Sequence, residues 1–354
     1  MTKAEQWLLD NFPRLGCALY SYKHSADRRY FVKATQTDSM VMRCECYGDD
    51  NPDKNLYYIE MGDKNNGFFA EYHKLLKFLY YADRFRFTPV VKYTGDFLYS
   101  EDHKVNGSDN PFEYYFLQPG GVSVDSLKRS RNEFLAEYVH TQIPEIKDSK
   151  DNDYEVSPEY IDIMGGIAGK YIRLNDTVRE TVDRASETMG VNCRTVGVHY
   201  RGTDYKREMA DHPRFSAINE YIASVSGLLE KDCYDKVFLA TDSAEALEEF
   251  RKEFKDMVVY CKDSIRSDSD VSVAFSESER EDHHYLLGLE VLRDMIVLSK
   301  CGALVAGLSQ VSLAARITNA SGESKYRDTV IISKGVSKDG ADGKKYYKKY
   351  GSPK

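Results

Sequence analysis

The clearest pattern of apolar and polar positions lies in the second half of the chain, where short apolar runs alternate with amphipathic stretches. The runs TVGVHY, KVFLAT, VVYC and ALVAG predict strands. The stretches between them predict helices over 215–229, 243–254, 284–300 and from residue 310 onward. Strands that alternate with helices at these lengths are typical of a parallel sheet with helices on both faces. Ligands of such sheets bind beyond the carboxyl ends of the strands.

The first half contains one segment with a clear pattern. Residues 55–60 and 89–93 predict strands, 62–67 a polar turn and 69–83 a helix, which together form a βαβ unit. A longer helical stretch, 160–188, is split near 174–176. The pattern predicts a loop-rich segment over 95–125 and a charged loop over 147–154.

The character of the chain changes near Gly190, and this change divides the sequence into domains. We expect an amino-terminal domain over 1–189 and a carboxyl-terminal domain over 190–330. A Lys-rich, weakly ordered tail would follow over 331–354. A chain of 354 residues is long enough for two domains with one site between them.

Composition and charge exclude several classes of protein. The chain has 49 Lys and Arg against 57 Asp and Glu, a net charge of −8, so no overall field attracts nucleic acid. No apolar run of 18 residues occurs, and the first residues include acids and a Trp, which predicts a soluble, cytoplasmic protein. The seven cysteines lack the paired spacing of zinc sites, which favours free thiols.

The strongest candidate for chemistry is VGVHYRGTDY, in which a strand ends at polar side chains. Alternation along the strand places His199 and Arg201 on one side. An imidazole and a guanidinium at the carboxyl end of a strand suit a diphosphate, because arginine offers permanently charged, forked donors. The alternative is a surface arginine paired with Asp204 beside a half-buried histidine.

Two carboxylates are further candidates. Asp242 follows the strand KVFLAT, where it would either organise the loop that carries His199 and Arg201 or help to cap the next helix. Asp294 lies among core positions of the predicted helix 284–300, at about 100° per residue. An unpaired buried carboxylate costs several kcal/mol, so this one needs a structural partner or a ligand with N–H groups. Guanine offers such an edge and uracil does not.

The strand ALVAG leads into Ser309 and Gln310 at the start of a helix. Phosphates bind helix amino termini, where free N–H groups and the positive end of the helix dipole converge. Ser309 is alternatively a plain helix cap.

In this order, VHYRGTD, VFLATDS and RDMIVLSKCGALVAGLSQVSLAARI resemble the three motifs of the inverting fucosyltransferase superfamily, which includes α-1,6-fucosyltransferases and rhizobial nodulation fucosyltransferases. The resemblance covers about residues 190–320. It implies the α/β GT-B architecture, with two Rossmann-like domains facing a central cleft. In that architecture 1–189 would be the acceptor-side domain and 190–330 the donor-binding domain. It also implies GDP-fucose as the donor substrate, a carbohydrate acceptor, no metal and no other cofactor.

Residue by residue, the resemblance assigns roles to matching positions. His199 and Asp294 match the family's guanine-contacting pair, Arg201 its β-phosphate ligand, and Asp242 an acidic position needed for activity. Ser309 and Gln310 match its other diphosphate contacts.

Two further residues match more loosely. In EMADHP, Glu208 resembles the family's glutamate near the acceptor hydroxyl and would be the general base. Gly67, in GDKNNGFF, resembles a glycine-rich turn that approaches the phosphates, or it belongs to an ordinary turn. The sequence departs from the family pattern where Gly202 replaces a second arginine and Tyr205 replaces a lysine.

These features predict metal-independent, inverting transfer of fucose from GDP-fucose to a hydroxyl of a polysaccharide, lipopolysaccharide or oligosaccharide. One alternative is an inverting GT-B enzyme that uses another GDP-sugar, and a second is a catalytically silent nucleotide-sugar-binding protein. The tail, which includes Lys344 and Lys348, would either hold the enzyme near anionic lipid at the inner face of the membrane or serve as a solubilising end.

Overall fold

In the computed structural model, residues 1–35, 38–140, 154–203, 206, 212–269 and 271–337 are described. The helices in these residues are α1 Lys3–Asn11, α2 Pro13–Lys23, α3 Phe68–Phe85, α4 Val124–Leu127, α5 Pro158–Tyr171, α6 Asp176–Met189, α7 Ile218–Leu229, α8 Ala244–Phe254, α9 His283–Ser299 and α10 Gln310–Ser321. The strands are β1 Tyr30–Ala34, β2 Ser39–Glu45, β3 Leu56–Met61, β4 Thr88–Tyr93, β5 Glu133–His140, β6 Thr195–Tyr200, β7 Lys236–Thr241, β8 Val258–Val259, β9 Ala303–Gly307 and β10 Asp328–Ile332.

The sheet of the second half is parallel throughout, in the order β10-β9-β6-β7-β8. This is the strand order of a Rossmann fold, with its crossover point between β6 and β9. Both faces of the sheet are covered, since Val196 and Val198 face one hydrophobic cluster while Phe238 and Leu304 face another. Burial on both faces explains why these strands are almost continuous apolar runs in the sequence. The predicted α/β fold is confirmed.

The sheet of the first half is mixed, in the order β1-β2-β5-β3-β4. Its β3-α3-β4 unit is parallel, with Leu56 opposite Thr88, and confirms the predicted βαβ unit. The pairs β1-β2 and β2-β5 are antiparallel and extend this parallel core. The link between β1 and β2 is too short for a parallel crossover, so these strands form a hairpin. The first half is therefore Rossmann-like only in its β5-β3-β4 part.

The two halves pack against each other through a continuous hydrophobic cluster. Helix α5 of the first half packs on α10 of the second. The Tyr115 hydroxyl donates to the carbonyl of Tyr285 (2.9 Å), and the Tyr285 N–H donates to the Glu101 carboxylate (2.9 Å). These contacts join the loop-rich segment of the first half to the amino end of α9.

Two predicted elements differ from the structure. The strand expected over 258–261 contains only Val258 and Val259, because the chain then turns and the Cys261 carbonyl accepts a hydrogen bond from Arg266 (2.8 Å). Helix α7 begins at Ile218 rather than residue 215. The preceding backbone is used elsewhere, since the Arg214 N–H donates to the carbonyl of Gly335 (2.9 Å).

The boundary expected at residue 331 is too early for the start of a tail. Strand β10 runs to Ile332, Val336 forms a bridge with Pro213, and the Ser337 N–H donates to the carbonyl of His212 (2.9 Å). Backbone pairing therefore extends the folded chain through residue 337. The rest of the predicted tail, with its lysines, lies outside the described residues, as do 147–153 of the predicted charged loop.

All seven cysteines are free thiols in the structure. Among the helices of the described part of the chain, none combines the length and the apolar character required to span a bilayer.

Candidate functional site

The candidate site is a cavity at the carboxyl ends of β6 and β7, lined also by α9 and by the start of α10. Four residues predicted from the sequence line it, and they are His199, Arg201, Asp242 and Asp294. The cavity lies beside the crossover point of the parallel sheet, where ligands of such folds bind.

A wider groove lies on the other side of α9, between α6 and residues 258–263. The Arg293 guanidinium faces it and binds both carboxylate oxygens of Asp263, each at 2.8 Å. That arginine is therefore already paired. The smaller cavity brings together more of the polar side chains that the sequence singled out, and we take it as the candidate site.

His199 is buried near the end of β6, a strand in which every residue is buried. Its Nδ1 lies 3.2 Å from the Ser309 hydroxyl. Loss of water around the ring, with a smaller effect from the Arg201 charge, lowers the pKa of His199 to about 3. The imidazole is therefore neutral at physiological pH and available as a hydrogen-bonding group.

Arg201 follows β6 directly and carries the positive charge of the cavity. One Nη donates to the Ser272 hydroxyl (3.0 Å), and Nε lies 3.6 Å from the Asp242 carboxylate. The side chain is 26% exposed, so the guanidinium is held in place at the cavity and can still be reached by a ligand. A preorganised cation of this kind suits an anionic group.

Asp242 organises the loop after β6. Its carboxylate accepts the N–H of Gly202 (2.9 Å) and the hydroxyl of Thr203 (2.7 Å). Helix α8 is capped by the neighbouring Ser243, whose hydroxyl accepts the N–H of Ala246 (3.2 Å). Of the two interpretations of Asp242, the structure therefore favours loop organisation over helix capping.

Asp294 lies on the cavity side of α9, and its Oδ1 is buried without a hydrogen-bond partner in the described residues. The thiol of Cys261 is close to this carboxyl group. Burial raises the pKa of Asp294 to about 6, against the opposing effect of nearby Arg293. Buried polar atoms are normally satisfied, so this oxygen indicates a ligand with a hydrogen-bond donor.

The other charged residues on this stretch of α9 are paired. Glu290 binds Arg280 (2.6 Å) and accepts the N–H of Ile265 (3.1 Å), while Arg293 holds Asp263. These contacts fix the loop after β8 against α9. On this stretch of α9, Asp294 is therefore the acidic residue that presents an unsatisfied carboxylate oxygen to the cavity.

The amino end of α10 reaches the cavity through Val311, whereas the predicted residues Ser309 and Gln310 lie beside it and do not line it. The buried Ser309 hydroxyl accepts the N–H of Ser312 (3.0 Å) and so caps the helix, as its alternative interpretation states. The first N–H groups of a helix have no partner within it. The Gln310 carbonyl accepts a hydrogen bond from His73 Nε2 of α3 (2.9 Å), and Val311 lines the cavity.

Gly67 does not line the cavity. It precedes α3 with a φ of −65°, and a Cβ built on it meets nothing within 4 Å, so neither backbone nor packing requires glycine. Its neighbour Phe68 donates its N–H to the Tyr99 hydroxyl (3.3 Å), and Tyr99 does line the cavity. Gly67 is thus one contact removed from the site. Glu208 lies outside the described residues.

Tyr99, the cavity residue supplied by the first half, was not predicted from the sequence. It lies in the segment 95–125, which has no periodicity, so no sequence signal distinguished it from the other tyrosines. Arg280 and Asp263, which fix the walls through α9, were also missed, because their partners are distant in sequence. Within the described residues, no group of three or more His, Cys, Asp or Glu side chains is arranged to hold a metal ion.

The known proteins that this chain resembles include fucosyltransferases. The family model for alpha-(1,6)-fucosyltransferase N- and catalytic domains matches residues 131–319, which is more than half of the chain. These residues include the carboxyl-terminal sheet up to β9 and the predicted site residues except Gly67. No curated protein sequence matches the chain at a significant level.

Several solved structures are similar at low identity. Fucosyltransferase NodZ from Bradyrhizobium is 15% identical, with a TM-score of 0.44 over 74% of this chain and 93% of that one. NodZ alpha-1,6-fucosyltransferase co-crystallised with GDP is 14% identical, with a TM-score of 0.43 over 75% and 92%. POFUT1 in complex with GDP-fucose is 10% identical, with a TM-score of 0.34 over 52% and 51%.

Proposed function

Since this chain belongs to the family of alpha-(1,6)-fucosyltransferase N- and catalytic domains, we propose that it is a GDP-fucose-dependent fucosyltransferase that transfers fucose with inversion to a glycan hydroxyl. One observation carries the assignment of the site: Arg201 and Asp294, whose Oδ1 is buried and unsatisfied, line the same cavity. The first suits a diphosphate and the second suits the N–H edge of guanine.

The proposed donor pose follows from these groups. The guanine N1–H and 2-amino group donate to Asp294, beside the neutral imidazole of His199. The β-phosphate contacts Arg201, and the other phosphate oxygens meet the amino end of α10 after Ser309. Asp242 keeps the loop of Arg201 in place. Gln310 contributes as part of the amino end of α10, and its carbonyl is held by the hydrogen bond with His73 of α3.

The proposed reaction is a single displacement at C1 of fucose. The acceptor oxygen forms a bond to C1 while the bond from C1 to the β-phosphate oxygen breaks, and its electron pair leaves with GDP. The acceptor proton passes to a general base, for which Glu208 is proposed. Arg201 and the backbone N–H groups of α10 stabilise the growing charge of the diphosphate, and the proposal includes no metal ion or other cofactor.

A direct assay tests the transfer. The full chain is incubated with GDP-fucose and a panel of bacterial-type polysaccharide, lipopolysaccharide and oligosaccharide acceptors, and products are identified by mass spectrometry and the anomeric configuration by NMR. We expect a fucosylated product with the configuration opposite to that of the donor. Faster turnover of another GDP-sugar would show that the donor is that sugar nucleotide and not GDP-fucose. GDP binding with no turnover of any donor would indicate a silent binding protein.

The pKa of Asp294 predicts a pH dependence of donor binding. Guanine donates to the ionised carboxylate, so donor binding below about pH 6 must displace a proton. We expect the Kd of GDP-fucose to be constant above about pH 7 and to rise about tenfold per pH unit well below pH 6. His199, with a pKa of about 3, adds nothing in this range.

Isothermal titration of GDP-fucose between about pH 5 and 8 measures this dependence, because its diphosphate is esterified at both ends and does not titrate there. Asp294→Asn is the matched variant and should bind with an affinity that does not change with pH. A wild-type Kd that stays constant down to pH 5 would show that Asp294 does not bind the guanine of the donor.

The cytoplasmic location and the role of the Lys-rich tail remain proposals. The tail would hold the enzyme near anionic lipid at the inner face of the membrane, where lipid-linked acceptors reside. Sedimentation with anionic vesicles, with and without residues 338–354, tests this role, and equal binding by the two chains would exclude the tail as an anchor.

A further inference from the structure

Exposed apolar side chains are concentrated at one place on the surface, the helical hairpin α1–α2. Of the nine large apolar side chains that are well exposed in the described part of the chain, six belong to residues 1–22. We call five of these the apolar stripe, and they are Trp7, Phe12, Leu15, Leu19 and Tyr22. Monomeric proteins seldom expose a contiguous apolar patch without a binding role.

The stripe is a separate face from the one that holds the hairpin on the protein. On α2, Leu15, Leu19 and Tyr22 follow a spacing of four and three residues, which places them on one side of the helix. The opposite side, with Cys17 and Tyr20, is buried against β2 and β5. Leu15 and Leu19 are about half exposed and Tyr22 is 82% exposed. These three side chains therefore contribute little to the core.

Aromatic residues complete the stripe at its ends. Trp7 of α1 contacts Phe12 edge to face, with ring centroids 5.8 Å apart, and both rings are more than half exposed. Tyr22 lies at the other end, near the end of α2. Tryptophan and tyrosine at the ends of an aliphatic patch are typical of the interface between water and lipid, because their rings are apolar and their N–H or O–H groups are polar.

The charge around the stripe is opposite to that of the whole chain. Residues 1–30 contain five Lys and Arg against three Asp and Glu, whereas the chain has a net charge of −8. Lys3, Arg14 and Arg28 are exposed and form no ion pair within the described residues. Arg14 and Lys23 lie on either side of the stripe on α2, and Lys23 binds Glu5 of α1.

We propose that the apolar stripe docks this enzyme on the surface of an anionic lipid bilayer, with α2 lying in the plane of the headgroups. Leu15 and Leu19 enter the boundary of the acyl chains, Trp7 and Tyr22 lie at the level of the headgroups, and Arg14 and Lys3 meet lipid phosphates. An apolar face flanked by cations is the pattern of such interfacial helices. The proposal is independent of the donor site.

A second copy of the chain fits this surface less well. Helix α2 has 11 residues and is about 16 Å long. A pair of helices this short cannot approach the roughly 800 Å² per partner of a stable interface. Pairing two copies would also bring together two surfaces that each carry the cations Lys3 and Arg14, unpaired within the described residues. An anionic surface complements the same residues.

Sedimentation with lipid vesicles tests the proposal. The full chain is mixed with phosphatidylcholine vesicles that contain or lack phosphatidylglycerol. We expect binding to the anionic vesicles only. The double variant Leu15→Asn, Leu19→Asn, which we call the stripe variant, should bind at least about tenfold more weakly. The matched control is Leu117→Asn, Met257→Asn, which removes two exposed apolar side chains elsewhere and should bind like wild type.

Two measurements separate docking from other causes. Circular dichroism and GDP-fucose turnover with a water-soluble acceptor should be unchanged in the stripe variant, since its substitutions are at exposed positions. In a chain ending at Ser337 the stripe substitutions should still weaken vesicle binding, which distinguishes the stripe from the Lys-rich tail.

Some results would overturn the proposal. Equal vesicle binding by wild type and the stripe variant would do so. So would wild-type sedimentation that does not depend on phosphatidylglycerol. A dimer in analytical ultracentrifugation that the stripe variant converts to a monomer, without vesicle binding by either, would assign the stripe to self-association instead.

Discussion

Arg201→Ala is expected to lower the rate of fucose transfer by about a hundredfold or more and to leave the fold intact. In the proposed donor pose the guanidinium contacts the β-phosphate, which gains charge as its bond to C1 breaks, and loss of one such preorganised donor typically costs two to three orders of magnitude, or about 3–4 kcal/mol. Its contacts with Ser272 and Asp242 lie at the cavity and the side chain is partly exposed, so we expect its removal to affect stability little. Steady-state kinetics with saturating GDP-fucose measures the effect.

Arg194→Ala provides the matched control. Arg194 precedes β6 at its amino end, where it pairs with Asp235 at the surface, while Arg201 follows the same strand at its carboxyl end. The control should transfer fucose at the wild-type rate. If Arg201→Ala retains more than about a tenth of that rate, a barrier change below about 1.4 kcal/mol, the role assigned to Arg201 is wrong.

Asp294→Asn is expected to have two opposite effects. Loss of two charge-assisted hydrogen bonds to guanine should weaken GDP binding about a hundredfold. The protein without ligand should become more stable at pH 8, by about 3 kcal/mol, because burial raises the pKa of Asp294 to about 6 and the ionised group therefore costs folding energy. A residue that binds at the expense of stability is common in functional sites.

The sign of the stability effect can be checked against pH. The folded-state pKa lies above the ordinary value, so the cost of ionising Asp294 develops as the pH rises from about 4 to 6 and is absent below both pKa values. The gain in Tm for Asp294→Asn should therefore be present at pH 8 and disappear near pH 4. Asp183→Asn is the control, because Asp183 pairs with Lys300 at the surface beside the end of α9. A loss of stability at pH 8 in Asp294→Asn would contradict the account.

The parallel sheet of the second half could be predicted because its strands are buried on both faces. β6, β7 and β9 read as apolar runs that end at polar residues, so the sequence itself places His199, Asp242 and Ser309 at one edge of the sheet. The unpaired state of Asp294 could not be predicted in this way. It depends on Arg293 turning toward Asp263, a partner 30 residues away.

The first half was less predictable for a different reason. Helices α1 and α2 carry apolar residues on two faces, with Leu9 and Tyr20 buried and Trp7 and Leu19 exposed, so the contrast that marks an amphipathic helix is weak. The pairing of β2 with β5 joins residues about a hundred positions apart, and local patterns carry no information about it. The contribution of Tyr99 to the cavity depends on packing between the two halves.

The central claim is that Arg201, the amino end of α10 and Asp294 converge to bind a guanosine diphosphate. Isothermal titration of the full chain with GDP and with UDP at about pH 7.5 tests it most directly, since the two ligands share the diphosphate and differ in the base. The account predicts binding of GDP and affinity for UDP that is weaker by about a hundredfold. Equal affinity for the two nucleotides, or no binding of GDP, would contradict it.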